Sequence, residues 1–307
     1  MILTSARALR IIAADIGVRV VLFTGIAVVL AAAGGWQPRA ADSVSPLGLP
    51  LIGATLGIFL AFKTNAAYDR WWEARTLWGG IVNASRSLAR QVAAFAPALV
   101  RPDGTPWTEA ERAALVRETV HTQIGIVHAM GHHLRGRDAA ASVAPFVPDA
   151  AALAGERNVP AALLHRLGAR LGAVWGASPG GAYYATALDQ TLTDLTALLG
   201  GCERIRDTPL PRQYEYFPRL LVNGYCFLEP FTTVHELGSF TPVATFVLSV
   251  ILLGLDDIGA RIGYPFAGGA SDTPVTALAT AIEINLRQSL GETALPEPVR
   301  PVDGVLS

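Results

Sequence analysis

The sequence predicts an all-α integral membrane protein, with about four transmembrane helices and a large polar helical region between the second and third. Three observations predict it. Hydrophobic residues make up 51 % of the 307 and charged residues only 16 %, with mean hydropathy +0.37; soluble domains carry about 25 % charged residues. Stretches free of Asp, Glu, Lys and Arg recur at the length of a membrane span, about 20 residues. The alternating pattern of strands is almost absent, while helical periodicity recurs along the chain. Net charge is −1 and pI about 6.6, which points to no nucleic-acid partner. Two cysteines, Cys202 and Cys226, cannot build a disulfide framework and read as buried small residues.

In chain order, the first apolar run extends from Val20 to Pro38, too long for the core of a cleavable leader, so it is expected to stay in the mature protein. Ser43 to Phe62 is the second, bounded by Asp42 and Lys63. A shorter third run, Leu220 to Thr233, contains Glu229 and gains length if Tyr214, Tyr216 and Phe217 join it. Leu237 to Leu255 is the fourth. These runs divide the chain into residues 1–62 with spans one and two, a cytosolic helical region at 63–211, spans three and four at 212–255, and a cytosolic tail at 256–307. Basic residues set the orientation. Arg7, Arg10 and Arg19 precede span one, and Lys63 to Arg219 holds 17 of the 24 Lys+Arg, whereas Leu220 to Asp256 holds none. Both termini and the middle region are therefore expected in the cytoplasm.

Trp71, Leu77, Trp78, Ile81, Leu88 and Val92 share a helical periodicity, so the second span is expected to run on to about Phe95, with Gly79-Gly80 its weakest point. Arg101 to Thr108 reads as a loop. Thr108 and Glu111 form a capping box that starts a helix to about Leu134. Pro145 and Pro148 mark another loop, and Ala151 to Gly155 a short helical piece. Pro160–Trp175 and Ala185–Leu199 read as helices separated by Ser178-Pro179-Gly180-Gly181, and Thr276–Leu290 as the last.

The second span is not uniformly apolar. Gly53, Gly57 and Ala61 recur every four residues, a small-residue stripe that lets another helix approach. Beside it runs Ala54, Ile58 and Phe62. In a ring of identical subunits that second stripe would form a narrow apolar constriction of the kind that gates by dewetting; helix packing in lipid is the plainer reading. Lys63, Asp69 and Arg70 follow, where a pore mouth would return to water.

The run Ile58 to Arg75, with its Lys63-Thr64-Asn65-Ala66-Ala67-Tyr68-Asp69-Arg70-Trp71-Trp72-Glu73 core, resembles the end of the second transmembrane helix of bestrophins. Asn83 to Gln91 extends it in the bacterial style. Gly201-Cys202-Glu203-Arg204-Ile205 with Thr208-Pro209-Leu210-Pro211, then Tyr264-Pro265-Phe266 and Ile282 to Leu286, match in family order. The resemblance implies a homopentameric ion channel whose hydrophobic neck is lined by Ala54, Ile58 and Phe62, with a second, cytosolic aperture near Thr186. Ala54 is smaller than the residue usual there. Animal members bind calcium through an acidic cluster after the Pro-Phe. Here Ala267-Gly268-Gly269-Ala270-Ser271-Asp272 follows, with one carboxylate where calcium wants six to eight oxygens. No comparable calcium site and no cofactor are expected. Animal relatives conduct chloride and other anions, and bacterial ones are associated with cations. Lys63 favours anions, Asp69 and Glu229 cations, and the selectivity stays open.

Glu229 suits the outer pore entry or the lipid headgroup level. His121, His128 and His132 share a helical face with His133 beside them, which leaves a membrane metalloenzyme as an alternative. A non-conducting scaffold is another. Neither a phosphate-binding Gly-Lys-Ser/Thr ending nor a Gly-x-Ser-x-Gly elbow occurs, and the chain reads as no enzyme. Trp71 and Trp72 read as packing anchors.

Overall fold

The computed structural model describes residues 1–2, 4–33 and 48–307. The end of the first predicted span, the start of the second and the connection between them lie outside the described residues. Nine α-helices are seen among those described: α1 Ser5–Ala32, α2 Gly48–Phe95, α3 Glu109–Leu134, α4 Ala139–Val143, α5 Val159–Gly176, α6 Ala182–Asp207, α7 Arg212–Leu237, α8 Thr241–Ile262 and α9 Val275–Ser289. Among the described residues three short 3-10 helices and isolated β-bridges accompany them, one bridge pairing Ile2 with Val305.

Two cores organise the chain. A small one joins α1, α2, α7 and α8 through Ile16, Val20, Phe23, Leu56, Leu60, Val222, Cys226, Leu252 and Leu253. Around it the outward faces stay apolar and exposed, including Val18, Val21, Val29, Leu51, Leu220 and Ile251. Lipid is the solvent that such a surface fits, because a helix satisfies its own backbone and leaves only side chains to face the tails. The α1 helix, the long run that begins with α2, and the run from α7 through α8 are each long and apolar enough to cross a membrane. The last is folded back on itself at Gly238, whose φ of +50° is a left-handed value that glycine adopts without penalty.

The larger core joins the second half of α2 to α3, α4, α5, α6 and α9 around Trp78, Ile81, Ile124, Met130, Trp175 and Leu195. The predicted capping box starts α3: Glu111 N–H donates to Thr108 Oγ1, and Thr108 N–H to Glu111 Oε2 at 2.9 Å. The Thr108 N–H and the Thr108 hydroxyl, both donating to that carboxylate, also hold the Glu111 carboxyl below its usual range. Asp138 and Asn158 cap α4 and α5 in the same way. Cys202 lies in this core, and burial pushes its thiol up to about 12, so it stays an inert thiol.

The expected weak point at Gly79-Gly80 does not interrupt α2. A Cβ on Gly80 would sit 2.6 Å from Leu198 Cδ2, and one on Gly201 3.0 Å from Leu77. The glycines let α2 and α6 interlock, each receiving a leucine from the other, so the spacing that suggested a break serves close approach. At 48 residues, α2 extends about 72 Å at 1.5 Å per residue. The α6 helix likewise runs through Gly200-Gly201 to Asp207, past its expected end.

Candidate pore-lining face

One face of α2 is covered throughout: Leu56, Leu60, Lys63, Ala67, Ala74 and Trp78 are all buried. The opposite face is bare. Ile58 is 61 % and Phe62 66 % exposed, and Ala54 is exposed above them. Residues advance about 100° each around a helix, so Phe62 lies nearly opposite Leu60. The bare face continues below Phe62 through Asn65, Asp69, Trp72 and Thr76. Asp69 thus shares an exposed face with the apolar stripe, seven residues past Phe62.

The small-residue stripe divides. Gly53 admits Tyr225 of α7, since a Cβ there would lie 2.5 Å from the Tyr225 hydroxyl. Gly57 faces open space and Ala61 is exposed. Among the described residues, Gly53 receives a neighbouring helix and Gly57 does not.

Two of the expected mouth charges are elsewhere. Lys63 is not a free charge: its side chain is 4 % exposed and Nζ lies 2.5 Å from Asp256 Oδ1 on α8. Asp256 also meets Arg219 Nε of α7 at 3.4 Å. A hundred-degree step from Phe62 carries Lys63 into the seam, which the linear sequence conceals because Asp256 is so distant in it. The case for anions built on Lys63 therefore falls. Glu229 does not reach an aqueous or headgroup surface within the chain either. It is buried between α7 and α8, accepting from Thr245 Oγ1 at 2.6 Å and Thr233 Oγ1 at 3.0 Å. Thr241, Thr245 and Ser249, spaced by four on α8, make the hairpin seam hydroxyl-rich, and so a carboxyl can be satisfied there. Thr186 lies exposed in the first turn of α6, its hydroxyl donating to Ala182 O.

The Arg-Trp-Trp motif works as a joint. The Arg70 guanidinium donates to Thr208 O at 2.7 Å and also to Ile205 O, capping carbonyls that the end of α6 leaves free. Trp71 Nε1 donates to Ser271 O at 3.0 Å. Trp72 is half exposed and stacks on Tyr68, with ring centroids 6.4 Å apart. Trp71 is an anchor as predicted, whereas Trp72 belongs to the bare face. In the loop after Phe266, the lone carboxylate of Asp272 accepts from Gly268 N–H at 2.5 Å, and burial pushes its carboxyl up. That carboxylate is used to close its own loop.

The histidines diverge. His121 meets Glu292 at 2.8 Å, His128 meets Glu283 at 2.7 Å, His133 meets Glu203 at 3.0 Å, and His132 contacts Asp138 O at 3.0 Å. Each takes its own partner, and no group of three His, Cys, Asp or Glu suited to a metal converges among the described residues. Sequence reasoning missed Arg219, Asp256 and the α7–α8 hydroxyl seam. Asp256-Asp257 placed directly after a long apolar run was the one available signal.

Comparison with known proteins gives first the class: the curated relatives are described as channel-forming proteins and the solved neighbours as membrane proteins or bestrophin homologs. The family described as Bacterial/Fungal Bestrophin protein matches residues 3–288. The chain belongs to the bacterial and fungal bestrophin family. It is 34 % identical over 262 residues to a voltage-dependent anion channel-forming protein of Ralstonia nicotianae, covering 85 % of this chain and 82 % of that one. It is 33 % identical over 251 residues to a protein of the same description from Mesorhizobium japonicum, covering 81 % and 76 %. A solved bacterial bestrophin homolog from Klebsiella pneumoniae, in a single-residue variant, superposes with TM-score 0.81 at 26 % identity, covering 91 % of this chain and all of that one.

Proposed function

We propose that the chain is one subunit of a homopentameric channel that passes small monovalent ions passively through an axial pore. Its control point is a hydrophobic neck at Ala54, Ile58 and Phe62. The observation that carries this reading is the bare apolar face of α2 in a helix otherwise fully engaged on its other side. Five such faces turned inward would enclose a water path narrow enough to dewet. Asp69, exposed on the same face, stands at the cytosolic mouth, and Thr186 at the further aperture. The spans α1, α2, α7 and α8 sit in the inner membrane with both termini and residues 63–211 in the cytoplasm, in contact with lipid, small inorganic ions and no nucleic acid. The relatives' descriptions favour anions and Asp69 favours cations; the reversal potential in a salt gradient across a bilayer decides the sign.

The test is Ile58→Ala with Phe62→Ala in the full chain, reconstituted in liposomes. A wider neck raises ion flux severalfold over the parent at equal protein. Flux no different from the parent would remove the neck assignment, and a particle other than a pentamer by native mass measurement would remove the ring.

A further inference from the structure

We infer that the buried Lys63–Asp256 pair sets the rotation of α2, making Lys63 and Asp256 positioning residues for the face that carries Ile58 and Phe62. The inference rests on the pore reading above and adds to it what holds the stripe in place. Lys63 is the next residue after Phe62, so the pair acts at the level of the neck itself. Lys63 Nζ reaches Asp256 Oδ1 at 2.5 Å and Asp256 O at 3.5 Å. The second oxygen of Asp256 is met by Arg219 Nε at 3.4 Å, and Arg219 stands 4.0 Å from Glu215. The carboxylate thus joins α2, α7 and α8.

Close packing reinforces the pair. Three residues after Asp256, a Cβ on Gly259 would fall 3.3 Å from Thr64 Oγ1 and 3.7 Å from Lys63 Cε. The absence of a side chain there lets α2 lie directly on α8. Flanking Lys63, the covered side of α2 offers the bundle Leu56, Leu60, Ala67 and Ala74, and the directional bonds of Arg70 and Trp71 act about two turns further down. Apolar contacts are non-directional and would tolerate rotation of the helix. A charged hydrogen bond is not tolerant of it. Turning α2 by one residue, about 100°, would bring Phe62 to the seam, expel Lys63 and leave the Asp256 carboxylate buried with Arg219 alone. A buried carboxylate that loses the closer of its two cationic partners is disfavoured, so the pair selects one rotation among those the flanking apolar surface allows.

The experiment separates positioning from stability. Replacing a buried ion pair by apolar residues of similar size is often neutral for folding, so Lys63→Met with Asp256→Leu is the informative variant. Phe62→Cys is introduced into the parent and into this double variant. Each full chain is reconstituted, and the rate at which a charged methanethiosulfonate alters ion flux is measured. The native cysteines are both buried, and the chain without Phe62→Cys is the control.

With the pair intact, the thiol at position 62 reacts and flux changes. Without it the rate is expected to fall about tenfold as the stripe samples other rotations, and Lys63→Arg, which keeps the charge, is expected to hold the parent rate. An assembled apolar variant that reacts at the parent rate overturns the inference alone. A thiol at position 62 that leaves flux unchanged in the parent removes the pore reading, and this inference with it. Should the apolar variant fail to assemble, Lys63→Gln keeps the length and a donor without the charge, with the same expected and overturning rates.

Discussion

The two cores of the chain are built on opposite rules, although one helix runs through both. The α3–α6 and α9 block hides its apolar residues in one continuous core and shows charge outside, with ion pairs such as Arg170–Glu118 at its surface. The α1, α2, α7 and α8 bundle shows its apolar residues outside. It hides its polar ones, with Lys63 beside Asp256 and Glu229 beside Thr245. The inversion follows from the solvent each meets. Water rewards the burial of apolar area, whereas lipid supplies no such drive and leaves packing and buried polar contacts to join helices. The α2 helix changes rule near Lys63, where its neighbours change from α7 and α8 to α6 and α9.

Three substitutions sharpen that contrast. Trp78 is fully buried in the block, and Trp78→Ala should cost about 3–5 kcal/mol of stability through the cavity it leaves, read by chemical denaturation in detergent. Phe62→Ala, at the bare face, should change the melting temperature little. If the two were equally damaging, the division into a water-rule block and a lipid-rule bundle would be wrong. The third is Thr108→Ala, which removes the hydroxyl that starts α3. It should cost about 1 kcal/mol, visible as reduced amide protection in residues 109–112.

The smallest effect is at Glu292. The hydrogen bond from His121 holds its carboxyl below the usual range, with Arg287 and Arg117 assisting. A carboxyl lowered in the folded state adds stability above its unfolded value, about pH 4.3, and loses it as pH falls through the lowered folded value. Glu292→Gln should therefore lower stability above that range and flatten the acid limb of the profile, the two chains converging at low pH. An unchanged acid limb would mean that the His121–Glu292 contact contributes nothing.

Much of the fold was legible because periodicity and capping are local. The capping box at Thr108 and Glu111, the unbroken passage of α2 into the block and the last helix at Val275–Ser289 all rest on residues within a few turns of one another. The outward stripe of α2 could be read for the same reason. What escaped depends on partners far apart in the chain. Lys63 looked like a mouth charge because Asp256 is 193 residues away. Glu229 looked like an entry or headgroup charge because Thr245, the nearer of the two hydroxyls that satisfy it, sits across the hairpin turn. Gly80 looked like a flaw because the leucine that fills its space belongs to α6. Spacing along one helix shows which residues share a face, but not what that face meets.

The length of α2 has a mechanical corollary. One unbroken helix carries both the notch that receives Leu198 and the ring of Phe62, so the water-facing block and the lipid-facing bundle share a single axle.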